Sequence, residues 1–338
     1  MPRQTSMTTR DTVLCIGNAH SDCATLVMKR ADARAASGAR DSLHRDAHIA
    51  ACCEFIAAAL AVNTATAQNS FLGLGSVSPD SSSQAFAMSA DGSTVVGWGY
   101  INSATVSGQQ RAIRWTRVAG MHPLFEGQLD LISAAFAVSG DGLSAGGWHA
   151  PTIIEEKAFS WSQADGESLF NTRSAVLGLS GDGTVGAGYV VQGRGAPRRA
   201  AMWTNGHLTF IDDSKIVGPG SDARAISADG RVIVGLAVFN GLNVATAYRW
   251  TAATGMQNLG YTGFGGPGSE ADAVSANGLH VVGAWQNGQG GYSIAALWNL
   301  DVPVQVLGTL PGDASSCAFA VSDAGTTIVG TSGSRAFI

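Results

Sequence analysis

"AMSADGSTVVGW", Ala87 to Trp98, is two short apolar runs pinched around an Asp-Gly pair. The phrase returns as "AVSGDGLSAGGW" from Ala137, "GLSGDGTVGAGY" from Gly178 and "AISADGRVIVGL" from Ala225. It returns twice more, as "AVSANGLHVVGA" from Ala273 and "AVSDAGTTIVGT" from Ala320. Its serines, Ser89, Ser139, Ser180, Ser227, Ser275 and Ser322, recur at intervals of 41 to 50 residues. Repeats at that spacing build solenoids, propellers or arrays, and the number of strands per repeat decides among them.

Each repeat carries four strand-like runs. The first is small and alternating, as in "AFAMS" ending at Ser89, and the second reads "STVVG" from Ser93 or "RVIVG" from Arg231. Between them Asp91-Gly92, Asp141-Gly142, Asp182-Gly183, Asp229-Gly230 or Asn277-Gly278 predicts a two-residue type I′ hairpin. The repeated serine is read as a strand end that bonds the turn backbone. A third run ends in Trp115, Trp161, Trp203, Trp250 or Trp298, and a fourth follows a glycine turn, as in "MQNLG" from Met256. No window of residues 68–338 sustains an apolar period of 3.6.

Four antiparallel strands per repeat predict a propeller blade. A parallel β-helix is the competing architecture, but it lacks hairpin turns. Small residues on the first run would let the inner strands converge, with the third-run tryptophans, Trp250 among them, filling the wedge between sheets. "FLGLG" from Phe71 reads as a fourth strand with no blade before it, and "SRAFI" at the C-terminus as a third strand. The expected fold is therefore an all-β, six-bladed β-propeller of four-stranded antiparallel blades, closed by an N-terminal strand so that no edge is left free.

Composition agrees. Glycine occurs 44 times and charged residues make up 13%, about half the usual share, which suits short strands and tight turns rather than charged helices. A net charge of −5 gives no electrostatic case for nucleic acid or an anionic membrane. Residues 1–67 stand apart: they contain no repeat and hold Cys15, Cys23, Cys52 and Cys53. Within them "IAACCEFIAAALAV", Ile49 to Val62, is followed by Ala65-Thr66-Ala67, the layout of a signal peptide cut before Gln68 and too short to span a bilayer. A start at Met28 would give that segment a shorter basic lead. The division expected is a signal peptide and N-terminal extension over 1–67 and a repeat domain over 68–338. The repeat domain keeps Cys317 alone, so it has no internal disulfide.

The repeat resembles the extracellular HAF repeat family of bacteria. Its pattern runs A-x-A-V-S-x-D-G-x-V-V-V-G, then A-F-R-W-T, then G-M-x-x-L-G-x-L-P-G. Here "AVSANGLHVVG", "AYRWTAATGMQNLG" and "VLGTLPGDASSCAFAVS" match it. The resemblance covers residues 71–338 and implies a secreted or surface-exposed bacterial protein. It brings no catalytic residues, and a C-terminal barrel or sorting tail is not found after the sixth repeat.

Searched for chemistry, the repeats offer little. His122, His149, His207 and His280 fall at different positions in their repeats, and Cys317 stands alone, so neither a metal nor a cofactor is expected. "GFGGPG" from Gly263 lacks the Lys-Ser/Thr of a phosphate loop, and no serine sits in a Gly-x-Ser-x-Gly elbow. Each repeated Asp is alone, whereas calcium needs several converging oxygens. Asp130, Asp165, Asp222 and Glu270 read as too dispersed to pair. Trp98, Trp148 and Trp285, just after the second run, are candidate ligand-contact aromatics. The expected function is an exported, non-catalytic binding or adhesion module for a surface polymer, carbohydrate or protein. The alternative is a carbohydrate-active propeller enzyme, a glycosidase or lyase, which would need carboxylates from different blades to converge.

Overall fold

The repeated phrase folds into a hairpin, but around a different turn from the one predicted. The computed structural model describes residues 73–78 and 81–338, apart from 102–108, 126–131, 151–155, 213–215, 243, 261–267, 287–291 and 301. Expectations for the signal segment, and for Phe71 and Leu72, lie outside these residues. In the first turn the Gly92 N–H donates to the Ser89 carbonyl at 2.9 Å, so Ala90 and Asp91 are central. Asn205 is the one non-glycine with positive φ among the described residues, so Asp91 keeps an ordinary backbone. The turn is thus type I, followed by Gly92 at φ 69°. The side chains explain the choice. Ser89 Oγ donates to Asp91 Oδ1 at 2.6 Å and accepts the Thr94 N–H at 3.0 Å, while Asp91 Oδ1 also accepts the Ser93 N–H. These bonds fold the aspartate back over the turn, and they recur around Ser180, Ser227 and Ser275.

Six such hairpins found six units. The first comprises β1 (Ser83–Met88), β2 (Thr94–Ile101), β3 (Gln109–Thr116) and β4 (Gly120–Pro123). The second has β5 (Ile132–Val138), β6 (Ser144–Ala150), β7 (Lys157–Ser162) and the start of β8 (Gly166–Leu179), whose end opens the third. The third continues with β9 (Val185–Val191), β10 (Arg198–Thr204) and β11 (His207–Phe210). The fourth is β12 (Ile216–Ile226), β13 (Ile233–Phe239), β14 (Thr246–Thr251) and β15 (Gly255–Asn258). The fifth is β16 (Ser269–Val274), β17 (His280–Gln286), β18 (Ser293–Asn299) and β19 (Gln305–Gly308). The sixth has three strands, β20 (Ser316–Val321), β21 (Ile328–Ser332) and β22 (Arg335–Phe337). Strand neighbours are antiparallel except for one parallel bridge, Arg198 with Gly220. That bridge and the shared β8 merge units two to four into one 11-stranded sheet. With no helix among the described residues, the chain is all-β, and the hairpins rule out a parallel β-helix.

The units stack through two contacts. At the turns, the Ala90 N–H donates to the Gly140 carbonyl, Gly140 to Gly181, Gly181 to Ala228 and Ala228 to Ala276, at 2.8–3.0 Å. Further out, the last strand of each unit sets an apolar side chain beside the third strand of the next. Phe125 meets Phe159 edge-on at 4.8 Å, Phe170 lies 5.4 Å from Trp203, and Leu259 joins the cluster of Trp298. The architecture is propeller-like, but the sheets are not closed into a ring. No hydrogen bond links the sixth turn to the first among the described residues, and β22 is an edge there.

The third-run tryptophans differ in depth. Trp115, Trp203 and Trp298 are buried, at 5%, 3% and 5% exposure, whereas Trp161 and Trp250 are half-buried. In the fourth unit Trp250 packs, half-buried, against the core cluster that holds the fully buried Tyr248, so it lies at the rim of the core the sequence led us to expect it in. The loss of about 3–5 kcal/mol for truncating a buried large aromatic is expected for Trp203→Ala, with Trp250→Ala costing less. Denaturation midpoints of the two variants check the order.

Candidate ligand surface on the inner strands

The first strand of every unit carries one residue too many. In β1, Ala85 faces Gly97 and Ala87 faces Val96, so Phe86 has no partner in the ladder. The same bulge falls at Phe136, Leu177, Arg224, Asp272 and Phe319. An inserted residue bends the strand and re-aims its side chain. The second-strand glycine makes room for it. A Cβ on Gly235 would run into the Asp222 carbonyl oxygen, and Gly97, Gly147, Gly188, Gly283 and Gly330 face the same obstruction. Each first strand lies beside that of the next unit, so the bulged residues and those two positions before them form one surface.

Half of that surface is apolar. Phe86, Phe136 and Leu177 cluster with Ala134, Ala175, Tyr189 and Val191, and the Phe86 and Phe136 rings lie 4.9 Å apart. Trp98 and Trp148, half-buried, pack on this cluster, and Trp98 Nε1 donates to Gln84 Oε1 at 2.8 Å. Trp285 does not join them. It stands two residues after its glycine rather than one, so it points to the opposite face and packs between the fourth and fifth units.

Beyond Leu177 the surface turns ionic, apart from Phe319 of the sixth unit. Arg198 stacks 4.1 Å from the Tyr189 ring centre and bonds Asp222 at 3.0 Å, which links the two halves. Next along, Arg224 bonds Glu270 at 2.7 Å and also Asp272, and Cys317 Sγ donates to Asp272 Oδ2 at 3.3 Å. Burial alone would lower the pKa of Arg224, but the Asp272 and Glu270 carboxylates outweigh it and raise it. Burial, with Asp272 beside it, holds the Glu270 carboxyl above its usual range despite Arg224. Burial and the same two carboxylates push the Cys317 thiol up, so it is a poor nucleophile.

Sequence reasoning missed this cluster. Asp222 and Glu270 are not dispersed: each stands five residues before its repeated serine, and Arg224 and Asp272 stand three before. Cys317, read as solitary, completes the group. Ligand atoms of Glu270, Asp272 and Cys317 lie within 4.8 Å of one another, a spacing a metal ion would accept. The Arg224 guanidinium already bonds both carboxylates, however, so these oxygens are engaged without a metal.

The histidines stay apart from this surface. His149 is buried, with neither ring nitrogen hydrogen-bonded, and burial together with Lys157 lowers its pKa below 6.5. Its neutral form is the one the fold accommodates. The unfolded chain therefore takes up a proton first as pH falls through about 6.5, and stability declines below that value. Replacing His149 with Phe is expected to flatten this part of the profile, read from denaturation midpoints between pH 8 and 5.

No protein-family model matches the chain, and no curated protein matches it. Among solved structures it is similar to TolB from Acinetobacter baumannii, at 13% identity and TM-score 0.47, over 70% of this chain and 57% of that one. The chain thus spans a little over half of that protein's length. A TolB structure from Agrobacterium tumefaciens shares 16% identity, TM-score 0.44, over 65% and 78%. A prolyl endopeptidase shares 10% identity, TM-score 0.49, over 71% of this chain and 38% of its own. These are partial likenesses of backbone. No helix among the described residues is long and apolar enough to cross a membrane.

Proposed function

We propose that the chain is an exported, non-catalytic binding module whose ligand, a surface polymer, carbohydrate or protein, meets the inner-strand surface. One observation carries this reading: the carboxylates of that surface are held by guanidinium groups, Asp222 by Arg198 and both Glu270 and Asp272 by Arg224. What the surface offers a ligand is the half-buried Trp98, Trp148 and Phe86, packed over the buried Phe136, beside an already paired ionic arc. Two-carboxylate glycoside hydrolysis needs one group to donate a proton and the other to act as base or nucleophile, whereas here Glu270 and Asp272 are both bonded to the same guanidinium. The resemblance to HAF repeats and the apolar segment before Gln68 support export. Binding to a panel of bacterial polysaccharides and envelope proteins tests the module. Trp98→Ala and Trp148→Ala should weaken binding, beyond whatever melting temperature they lose through their packing on the aromatic cluster. Trp285→Ala should lower the melting temperature and leave binding by the folded protein unchanged. Release of reducing ends, abolished by Glu270→Gln, would instead favour a carbohydrate-active enzyme. Mass spectrometry of the exported protein should find Gln68 at the mature N-terminus.

The ring itself we read as closed by the segment around Leu74. Leu74 packs with Met88, Val95 and Trp115 of the first unit. That is the relation Leu124 and Phe125 bear to the second unit and Leu259 to the fifth. On this reading the segment serves as the last strand of the sixth unit, after β22.

A further inference from the structure

The seam between the fifth and sixth units departs from the others. Four seams are joined by a single peptide hydrogen bond between turn residues that are alanine or glycine. At the last seam the sixth unit presents Asp323 instead, and two bonds replace the one. The Asn277 N–H donates to Asp323 Oδ1 at 3.0 Å, and Asn277 Nδ2 donates to the Asp323 carbonyl at 2.8 Å. Asn277 Oδ1 is occupied within its own turn by Ser275 Oγ at 2.7 Å and the Leu279 N–H at 2.9 Å. Four other turns place aspartate at this position: Asp91, Asp141, Asp182 and Asp229. The amide stands where the facing unit brings a carboxylate. An aspartate at 277 would turn its second oxygen, an acceptor, toward the Asp323 carbonyl and set two carboxylates side by side.

We propose that Asn277 is a deamidation-sensitive latch for the sixth unit. The chemistry is spontaneous in an Asn-Gly pair, because Gly278 sets no side chain beside the reacting atoms. The Gly278 backbone nitrogen loses its proton and bonds to Asn277 Cγ, and Nδ2 leaves as ammonia. Water then opens the cyclic imide to aspartate or isoaspartate. In the closed turn the Gly278 N–H is held by the Ser275 carbonyl at 2.9 Å, so attack requires the turn to open. The product carries a negative charge where the amide donated, and the turn cannot re-form the same bracket with Asp323. Modification at Asn277 thereby records openings of the last seam and makes them permanent. Asn205-Gly206 and Asn240-Gly241 are also described, but their side chains bond no other unit among the described residues, so the same chemistry there leaves the seam alone.

The test uses the full chain and three variants: Asn277→Asp, Asn205→Asp and the swap of Asn277→Asp with Asp323→Asn. Hydrogen exchange across residues 316–332 is expected to quicken about tenfold in Asn277→Asp, as for loss of one or two hydrogen bonds, with units one to four unchanged. Asn205→Asp should match the wild type. The swap variant should recover part of the protection, because only one carboxylate then stands at the seam and the amide carried at position 323 still accepts the backbone N–H of residue 277. The bond to the carbonyl of residue 323 stays lost. Should Asn277→Asp fail to fold, recovery in the swap variant still carries the result. Wild-type exchange rates in Asn277→Asp, or no recovery in the swap variant, would overturn the latch. Peptide mapping of aged protein should show the gain of about one dalton at 277 more slowly in the folded chain than after denaturation. Equal rates, or no gain at 277 in a sample modified at 205, would overturn the opening-dependent modification.

Discussion

Gly235→Ala is expected to leave the chain unable to hold its fourth unit. The added methyl would be driven into the Asp222 carbonyl oxygen, which is backbone and cannot swing aside. Relief requires removing the bulge at Arg224, and with it the register of Ala225 and Ile226 against Val234 and Ile233. A one-residue slip sends every side chain beyond it to the wrong face. Val234 and Ile233 are both fully buried, on opposite faces of the sheet, so both neighbouring cores would be lost together. Overpacking alone costs about 1–3 kcal/mol, and the forced slip adds to it, against a total of about 5–15 kcal/mol for a typical domain. Circular dichroism and a thermal melt decide the matter. Gly241→Ala is the control, since its Cβ would meet open space, although its φ of 83° strains any replacement. Should Gly235→Ala melt at or above the control, the bulge is not what holds the repeat together.

A chain beginning at Ser83 is expected to melt well below one beginning at Gln68, and to scatter light as it does so. The shorter chain lacks Leu74, which covers Met88, Val95 and Trp115, three buried residues on the outward face of the first unit. Uncovering them exposes a contiguous apolar face, a route to aggregation; under the proposed closure the deletion also takes away the cover of the β22 edge. The two structures under test differ in where the damage appears. In an open stack, loss stays in the first unit, because each unit touches only its neighbours. In a closed ring, amide protection in β20–β22 falls as well. Unchanged exchange in residues 316–337 after the deletion would show that the segment around Leu74 serves the first unit only.

Much of the fold could be read from the sequence because the repeat states it six times. The serines, the turn glycines and the tryptophans fixed the length and order of the strands, and a hairpin was the right inference from Asp-Gly. The turn type was not, because it depends on where the aspartate side chain goes. Ser89 and the Ser93 N–H draw it back over the turn, which a dipeptide preference does not report. The candidate surface was legible in principle and was missed for a physical reason. A period of two passes over an inserted residue, and so Arg224 and Asp272 fell out of the alternation instead of standing out from it. Counting back from the serine would have aligned them with Phe86 and Phe136. The same count separates Trp285 from Trp98 and Trp148, which follow their glycines by one residue where Trp285 follows by two.

The bulge has a consequence for how such a chain can change. A residue that belongs to the ladder is committed twice, once to its cross-strand partner and once to the core it faces. The bulged residue is free of the first commitment, and Phe86, Phe136, Leu177, Arg224, Asp272 and Phe319 show how little the second constrains its chemistry. The scaffold supplies six interchangeable sockets in a fixed order, and their occupants can be rewritten, aromatic for acid or acid for base, while the walls that carry them stay as they are.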